Sequence, residues 1–270
     1  MPVLNPFSPS YMKSLDRFFK EHKEYKIVHS HLDCLSAYPL KAAKKNGVPV
    51  RIAHSHNTSQ EKNLKYLIKD YSKKQIPKYA THLFACGKEA GKWMFGKHKF
   101  QIMNNAIDAK KFIYNEEVRK QKRVELGVED KFVIGHVGRF NLQKNHEFLV
   151  KRFADFAKTN EDAILVLIGN GELQEKIKEM AKEYGIETKV KFLGLREDIP
   201  QLLQAMDLFL FPSLFEGLPV TLVEAQAAGL PCVISDMITD EIMITDQISK
   251  VSLSCLLYTS PSPRDPKTSR

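Results

Sequence analysis

The stretch Ala163-Ile164-Leu165-Val166-Leu167-Ile168 is an unbroken apolar run that leads directly into Gly169-Asn170-Gly171-Glu172. A strand without a polar face has to be covered on both sides, as strands are in a parallel sheet with helices on each face. The glycines that follow mark the point where the chain turns away from the strand. This stretch therefore predicts the fold class α/β.

Short apolar runs and amphipathic stretches of helical length alternate on both sides of this strand. Further strands are predicted at Tyr25–Ser30, Val50–Ser55, His82–Cys86, Phe100–Asn104, Phe132–Val137, Val190–Leu193, Leu208–Phe211 and Cys232–Ser235. Helices are predicted at Tyr11–His22, Leu35–Lys45, Gln60–Ile76, Lys88–Phe95, Asn145–Lys158, Glu172–Tyr184, Asp198–Ala205 and Pro219–Ala228. Because strands that alternate with helices build parallel sheets covered on both faces, we expect two doubly wound domains.

The polar, charge-rich segment Asp108–Asp130 is the predicted boundary between these domains, because it contains few large apolar residues. We expect an N-terminal domain at residues 1–115 and a C-terminal domain at residues 116–255. Both are expected to be incomplete, the first without an initial strand and its glycine-rich turn, the second without its C-terminal part. Residues 256–270 lose all periodicity and are expected to be a non-native or disordered tail.

The composition is that of a soluble globular protein, with 43% hydrophobic and 27% charged residues. Its apolar runs are all shorter than the roughly 18 to 20 residues that a membrane-spanning helix needs. The four cysteines are scattered without C-x-x-C or metal-ligand spacing, which is typical of a reduced cytoplasmic protein. These features exclude a disulfide scaffold, a coiled coil, a collagen and a membrane channel.

The net charge of +9 is concentrated in the first half of the chain. Residues 1–130 contain 25 basic and 13 acidic side chains, whereas the remaining residues contain 16 and 19. A basic half suits an anionic membrane surface or a phosphorylated substrate, and a solvated lysine-rich exterior explains it as well. The stretch Glu61–Lys78 has apolar residues at helical spacing among its lysines, as in helices that lie on anionic lipid. Nucleic acid is not expected as a partner, since basic residues are not interleaved with aromatic ones.

The segment Phe211–Gly229 contains a strand end, a tight turn at Gly217, and a helix that Pro219 can begin and Gly229 can end. The backbone amides of Gly217 and Leu218 would then point out of the helix N-terminus. Because free amides and the helix dipole both attract negative charge there, the segment predicts a site for a phosphate.

Two glutamates flank this turn. Glu216 lies in the loop before it, and Glu224 lies about a turn and a half inside the helix. The Glu224 carboxylate could accept paired hydrogen bonds from a ribose diol. Two glutamates at this spacing are also what an ordinary solvated helix carries, so by themselves they leave both interpretations open.

Two cations follow the strand Phe132–Val137. Arg139 and Lys144 could stabilise the charge that builds on a departing diphosphate, or they could belong to a solvated basic loop. The glycines at 169 and 171 supply only part of a dinucleotide-binding pattern, because Gln174 stands where a third glycine would be. All three segments follow strands of the second half, which predicts that they meet at one edge of its sheet.

Together these motifs resemble those of the group 1 glycosyltransferases, also called glycosyltransferase family 4. The resemblance is carried by the R-x4-K pair, the G-x-G-E turn and the block E-G-L-P-x-x-L-V-E-A-x-A-x-G. In the first half it extends to Ile27–His31, Arg51–Asn57 and Met103–Asp108. It implies the GT-B architecture of two Rossmann-like domains and retaining sugar transfer. The segments of the first half most resemble those of bacterial members that build exopolysaccharide or capsule.

The resemblance also implies roles for the donor-side residues. Glu216 would hold hydroxyls of the donor sugar, and Glu224 would bind the nucleotide ribose. Arg139 and Lys144 would hold the diphosphate leaving group, helped by the amides of Gly217–Leu218.

Further roles follow for the base and for the acceptor side. Backbone near Leu195–Arg196 would contact the base. His56, or in second place His54, would face the reacting sugar, and His31 would lie nearer the acceptor. For each histidine, a satisfied polar side chain at a strand end is the alternative interpretation.

The implied reaction transfers a sugar from a UDP- or GDP-sugar to a hydroxyl of a saccharide or lipid-linked acceptor in the cytoplasm, with peripheral contact to the inner face of the membrane as an option. No cofactor and no metal are expected, since the sequence has no D-x-D pair in a plausible loop and Asp236 and Asp240 are too far apart to form one. The alternatives are a nucleotide-sugar 2-epimerase of the same architecture and an inactive fragment that only binds nucleotide.

Overall fold

The structure, a computed structural model, describes residues 8–60 and 66–253. They form two compact units. The first unit contains the described residues up to Asn105 together with Phe215–Leu218, and the second unit contains the other described residues. The division predicted at residues 115 and 116 falls later, where a helix of the second unit begins. The predicted tail at 256–270 lies outside the described residues, as do residues 61–65 of the predicted helix at Gln60–Ile76.

The first unit contains a parallel sheet with strand order β1-β2-β3-β4 and helices in the connections. Its elements are α1 (Pro9–Glu21), β1 (Ile27–Ser30), α2 (Ala37–Lys45), β2 (Val50–Ser55), α3 (Tyr66–Tyr79), β3 (His82–Ala85), α4 (Lys88–Phe95) and β4 (Gln101–Ile102). β1 and β2 pair in register from Ile27 opposite Val50 to Ser30 opposite Ala53, so both strands end at the same edge of the sheet.

The second unit contains a parallel sheet with strand order β10-β9-β8-β5-β6-β7. Its elements are α5 (Glu116–Leu126), β5 (Phe132–Val137), α6 (His146–Ala157), β6 (Ala163–Ile168), α7 (Gln174–Glu183), β7 (Val190–Gly194), α8 (Ile199–Ala205), β8 (Leu208–Phe211), α9 (Val220–Ala227), β9 (Cys232–Ser235) and β10 (Ile248–Val251). The strand order reverses between β5 and β8, and doubly wound sheets bind ligands beyond the carboxyl ends of strands at such a switch point. Parallel pairing in both units confirms the predicted fold class.

The core of the second unit is built around β6, in which every residue is buried. Leu165 and Leu167 share one hydrophobic cluster with Leu149 and Phe153 of α6 and Ile177 of α7. The alternate side chains of β6 point to the other face of the sheet and are buried too. The prediction of a strand covered on both sides is therefore confirmed.

One helix, α5, was not predicted and lies inside the segment assigned to the domain boundary. Its N-terminus is capped by Asn115, whose side chain accepts hydrogen bonds from the backbone amides two and three residues further along the chain. Its inner face uses arginines where apolar residues are usual, since both Arg119 and Arg123 form ion pairs with Asp207. Because charged side chains cover the inner face, the apolar periodicity that reveals a helix is absent. The segment Asp108–Asp130, predicted as the domain boundary, therefore contains a helix that the sequence did not reveal.

Within the described residues, no helix combines the length and apolar character that crossing a bilayer requires.

Candidate functional site

The loops that follow β5, β6 and β8 lie at one edge of the second sheet, because parallel strands all end on the same side. Their backbones are joined by hydrogen bonds. The Phe140 amide donates to the Asn170 carbonyl at 2.9 Å, and the Leu214 amide donates to the Gln143 carbonyl at 2.9 Å. The predicted meeting of these segments at one edge is borne out for the loops after β5, β6 and β8.

The two glycines of the β6 loop are required by this close packing. Gly169 has φ +132°, and a Cβ there would lie 2.2 Å from the Gly138 carbonyl oxygen. Gly171 has φ +159°, and its Cβ would lie 2.4 Å from the Phe140 carbonyl oxygen. Contacts this short are impossible for any side chain, so the G-N-G turn brings two loops together backbone against backbone.

Both predicted cations of this unit stand after β5, beside the switch point. Arg139 forms an ion pair with Glu172 of the β6 loop at 3.0 Å, with both side chains well exposed. Lys144 is half-buried, and its Nζ lies over the ring of Phe211 at 4.5 Å, at the end of β8. Exposed ion pairs are worth at most about 1 kcal/mol, so a phosphate could displace Glu172 from Arg139 at little cost.

α9 starts at the same edge. Pro219 is its N-cap residue, and the first turn carries no acidic side chain that would neutralise the positive end of the helix dipole. Glu224 is half-buried, and burial raises the pKa of its carboxyl above the ordinary value. The helix ends where predicted, since Gly229 adopts φ +63° and its amide donates to the Gln226 carbonyl.

Leu195 and Arg196 directly follow β7 at the same edge. The Leu195 side chain is exposed. The Arg196 guanidinium donates to Asp198 at 2.7 Å and to Glu125 at 3.0 Å, and its bond to Asp198 holds the pKa of that carboxyl far below its ordinary value. The Arg196 side chain is thus committed to a local ion-pair network, which leaves backbone as the part of this segment that a base could meet.

The first unit gathers four histidines at the carboxyl edge of its own sheet. They are His29 and His31, on and just after β1, and His54 and His56, on and just after β2. Since alternate residues of a strand point to the same face, each pair lies on one face. The Nε2 of His29 lies 3.2 Å from the Nδ1 of His54, and the Nδ1 of His31 lies 2.8 Å from the Nε2 of His56.

Desolvation keeps three of these imidazoles, those of His29, His54 and His56, neutral at physiological pH. It lowers the pKa of His54 to about 4 and also lowers the pKa of His56. Asp33, which sequence reasoning missed, accepts hydrogen bonds from the backbone amide of His56 at 3.3 Å and from the side chain of Asn57 at 2.5 Å. Its φ of +45° lies in the left-handed region, which aspartate adopts more readily than most residues other than glycine.

The segment Phe215–Leu218 belongs to the first unit. Gly217 packs directly on the histidine loop, since a Cβ there would lie 2.0 Å from the carbonyl oxygen of His56. Only glycine allows this approach. Of the predicted residues, Glu216, Gly217 and Leu218 are therefore brought together with His56, and Glu216 is buried.

Two side chains hold this segment. The hydroxyl of Thr58 donates to the Glu216 carbonyl at 2.5 Å, and the Asn105 amide donates to the Leu218 carbonyl at 2.6 Å. The Asn105 side chain also hydrogen-bonds the ring of His56, which partly offsets the lowering of its pKa by burial. Asn105 belongs to the segment Met103–Asp108, for which the sequence predicted no side-chain role. In the structure it is a positioning residue for the Leu218 backbone and the His56 ring.

The comparisons with known proteins agree with this arrangement. A family model described as Glycosyl transferases group 1 matches residues 117–251, half of the chain. The protein EpsF of Bacillus subtilis (strain 168) is 37% identical over 254 residues, which are 90% of this chain and 66% of EpsF. The UDP-Gal:alpha-D-GlcNAc-diphosphoundecaprenol alpha-1,3-galactosyltransferase of Escherichia coli is 30% identical over 241 residues, which are 84% of this chain and 62% of that enzyme.

Among solved structures, HepE of Anabaena in complex with UDP and glucose matches with a TM-score of 0.79 and 19% identity, covering 95% of this chain and 72% of that one. Likeness at this identity establishes the fold, which is the GT-B fold with two Rossmann-like domains. The chain belongs to the group 1 glycosyltransferases. It spans 66% of the length of EpsF and 62% of the length of the Escherichia coli enzyme.

Proposed function

We propose that the chain contains the catalytic and donor-binding residues of a retaining glycosyltransferase of polysaccharide biosynthesis. It transfers a sugar from a nucleotide-diphosphate donor to a hydroxyl of a saccharide or lipid-linked acceptor. The observation that carries this proposal is the switch point of the second sheet. There Arg139 and Lys144 follow β5, and α9 begins after β8 with no acidic residue in its first turn.

On this proposal the second unit stabilises the leaving group. Cleavage of the bond between sugar and diphosphate leaves negative charge on the diphosphate oxygens, and fixed cations together with a helix N-terminus stabilise that charge. Because Arg139 and Lys144 supply this charge, we propose that transfer needs no metal ion. The half-buried carboxylate of Glu224 accepts hydrogen bonds from the ribose hydroxyls, and backbone at Leu195–Arg196 meets the base.

The first unit would supply groups for the sugars. Glu216 holds donor-sugar hydroxyls, and His56 faces the reacting sugar, with His54 behind it as the second candidate. His31 lies on the acceptor side. Support for grouping these residues comes from the direct packing of Gly217 on the His56 backbone.

The names of the relatives favour a UDP-sugar over a GDP-sugar. HepE was solved with UDP and glucose, and the enzyme from Escherichia coli is named for UDP-Gal and for an acceptor linked to diphosphoundecaprenol. We therefore propose a UDP-sugar donor and a lipid-linked saccharide acceptor for this chain.

Thermal unfolding with UDP, GDP, ADP and their sugar conjugates tests the donor site. A ligand at a hundred times its dissociation constant stabilises the folded state by about 2.7 kcal/mol. We expect a rise in Tm with UDP compounds that is lost in Glu224→Ala and kept in Glu183→Ala, a matched change at an exposed glutamate of α7. If the chain unfolds cooperatively and no nucleotide raises its Tm, the proposed donor site is wrong.

Product analysis separates the alternatives. A 2-epimerase converts its nucleotide-sugar in the absence of any acceptor, whereas a transferase forms a glycoside only when acceptor is present. A fragment that only binds nucleotide would show the Tm shift and neither product. Formation of an acceptor-dependent glycoside with retained anomeric configuration is the expected result.

The exposed side chains of α3 support peripheral contact of the chain with the inner face of the cytoplasmic membrane. Leu67 and Tyr71, one turn apart, are 77% and 65% exposed, and Lys74 lies beside them on the same exposed side. A helix that shows apolar side chains among lysines can lie on anionic lipid. Co-sedimentation with vesicles should rise with anionic lipid content and fall in Leu67→Ser. Sedimentation independent of lipid charge would contradict the membrane contact.

A further inference from the structure

The first unit contains the same triplet twice, His29-Ser30-His31 and His54-Ser55-His56, on neighbouring parallel strands. Strand geometry puts the outer residues of each triplet on one face. The rings are in contact, with centroids 4.1 Å apart for His29 and His31 and 4.2 Å apart for His54 and His56. Two adjacent H-x-H pairs thus bring four imidazoles together at one sheet edge.

Three of these side chains have the spacing of metal ligands. One ring nitrogen from each of His29, His31 and His54 lies within 4.8 Å of the others. The separation of 3.2 Å between His29 Nε2 and His54 Nδ1 is close to the roughly 3.3 Å between two ligand nitrogens of a tetrahedral zinc ion with bonds of about 2.0 Å. Because the rings of His29 and His31 are exposed, they can rotate to bring the three nitrogens closer together.

A ligating histidine usually hydrogen-bonds through its other nitrogen, and His31 has such an outer contact. His31 uses Nδ1 to reach His56 at 2.8 Å, which leaves its Nε2 for a metal. The Nε2 of His54 is buried and makes no hydrogen bond of ordinary geometry to any residue that the structure describes, although the Met103 backbone acts on the ring. A metal on Nδ1 would fix this nitrogen as a donor towards Met103.

The donor set selects the class of ion. Imidazole nitrogens suit zinc, copper, nickel and cobalt, whereas magnesium and calcium prefer oxygen ligands. The carboxylate of Asp33, on the same sheet edge, is already bonded to the His56 amide and the Asn57 side chain. We propose that His29, His31 and His54 form a binding site for a divalent transition-metal ion such as Zn²⁺, with a fourth position open to solvent.

The site depends on the geometry of the first unit alone and does not depend on the proposed transfer reaction. If that reaction is also right, the metal and the acceptor compete for His31 and His54, and micromolar Zn²⁺ inhibits transfer instead of promoting it.

Calorimetric titration of the untagged chain with Zn²⁺, and with Co²⁺ as a spectroscopic probe, tests the proposal. We expect one ion per chain and the intense visible absorption of tetrahedral Co²⁺. Loss of a ligand should weaken binding at least as much as the loss of an outer contact does, roughly 10- to 100-fold. His29→Ala and His31→Ala should both show this loss.

The matched control is His82→Ala, an exposed histidine at the opposite end of the strands, on the first residue of β3. Its binding constant should equal that of the parent chain. Since His29 and His31 are exposed, their variants should unfold at the parent Tm without metal. Unchanged Zn²⁺ affinity in His29→Ala, or an equal loss in His82→Ala, would overturn the site.

Discussion

The two units use histidine in opposite ways. In the first unit, imidazoles stand at the ends of β1 and β2 and hydrogen-bond to each other. In the second unit, His136 and His146 lie inside the core, and His146 stacks on Phe140 with 4.1 Å between ring centroids. Neither ring nitrogen of His146 has a hydrogen-bond partner among the described residues. Position relative to the strand end, and not residue type, decides whether an imidazole is available to a ligand.

The sheet edges differ accordingly in charge. The first unit presents imidazoles, three of them held neutral by desolvation, which suit a transition metal or sugar hydroxyls. The second unit presents the cations Arg139 and Lys144 on loops held together by glycine, which suits phosphate. Three of the predictions below change the edge of the second unit and one changes its core, and all of them leave the edge of the first unit as it is.

The largest effect is expected from Gly169→Ala in the second unit. The new Cβ would lie 2.2 Å from the Gly138 carbonyl oxygen, and neither backbone can yield without moving a strand. We expect the free energy of unfolding to fall by roughly 3 kcal/mol or more. Gly185→Ala is the control: it also has positive φ, but its Cβ meets open space, so about 1 kcal/mol is expected. Equal losses in urea denaturation would show that the loops are not packed as described.

Acidification should lower the free energy of unfolding, because the second unit contains histidines that are buried in the neutral form. Burial lowers the pKa of His146 to about 4, so below pH 6.5 the unfolded chain binds a proton that the folded chain does not. The free energy of unfolding therefore falls as the pH drops from 6.5 towards 4, by on the order of 3 kcal/mol for this group.

The variant His146→Phe keeps the stacking on Phe140 and removes the titration. Its loss of stability between pH 6.5 and 4 should be smaller than that of the parent chain, whereas a change at the exposed His82 should leave the loss as it was. Denaturant unfolding at several pH values measures this. An identical pH profile for parent and His146→Phe would mean that His146 is not buried in the neutral form.

Most of the fold could be predicted, because nearly every strand is a short apolar run, and β2, β5, β6, β8 and β9 have the predicted bounds. α5 could not, since its inner face carries Arg119 and Arg123, whose partner Asp207 is distant in sequence. β10 was missed because Ile248–Val251 is short and includes Lys250. In the site, the residues that belong to sequence motifs could be predicted from the sequence. Asp33 and the contact of Gly217 with the His56 backbone could not, because they depend on packing between segments that are distant in the sequence.

Arg139→Ala should weaken UDP binding about tenfold, or about 1.4 kcal/mol, because a charge-assisted contact to the diphosphate is lost. Stability should hardly change, since the Arg139 side chain is 68% exposed. Lys182→Ala, which removes an exposed cation of α7, is the matched control and should bind UDP like the parent. Isothermal titration calorimetry measures both, and equal affinities for Arg139→Ala and parent would remove Arg139 from the donor site.

The smallest effect on UDP affinity is expected from a change at Glu172, the ion-pair partner of Arg139. Glu172→Gln removes the carboxylate that would compete with a phosphate for the guanidinium, so UDP affinity should rise by about 0.5 kcal/mol, roughly twofold. The gain should shrink at high salt, because the pair is exposed and its attraction is screened. Glu175→Gln, an exposed acid on α7, should give no gain. Weaker UDP binding in Glu172→Gln would mean that this glutamate takes part in nucleotide binding, and the second unit's edge would then not be purely cationic.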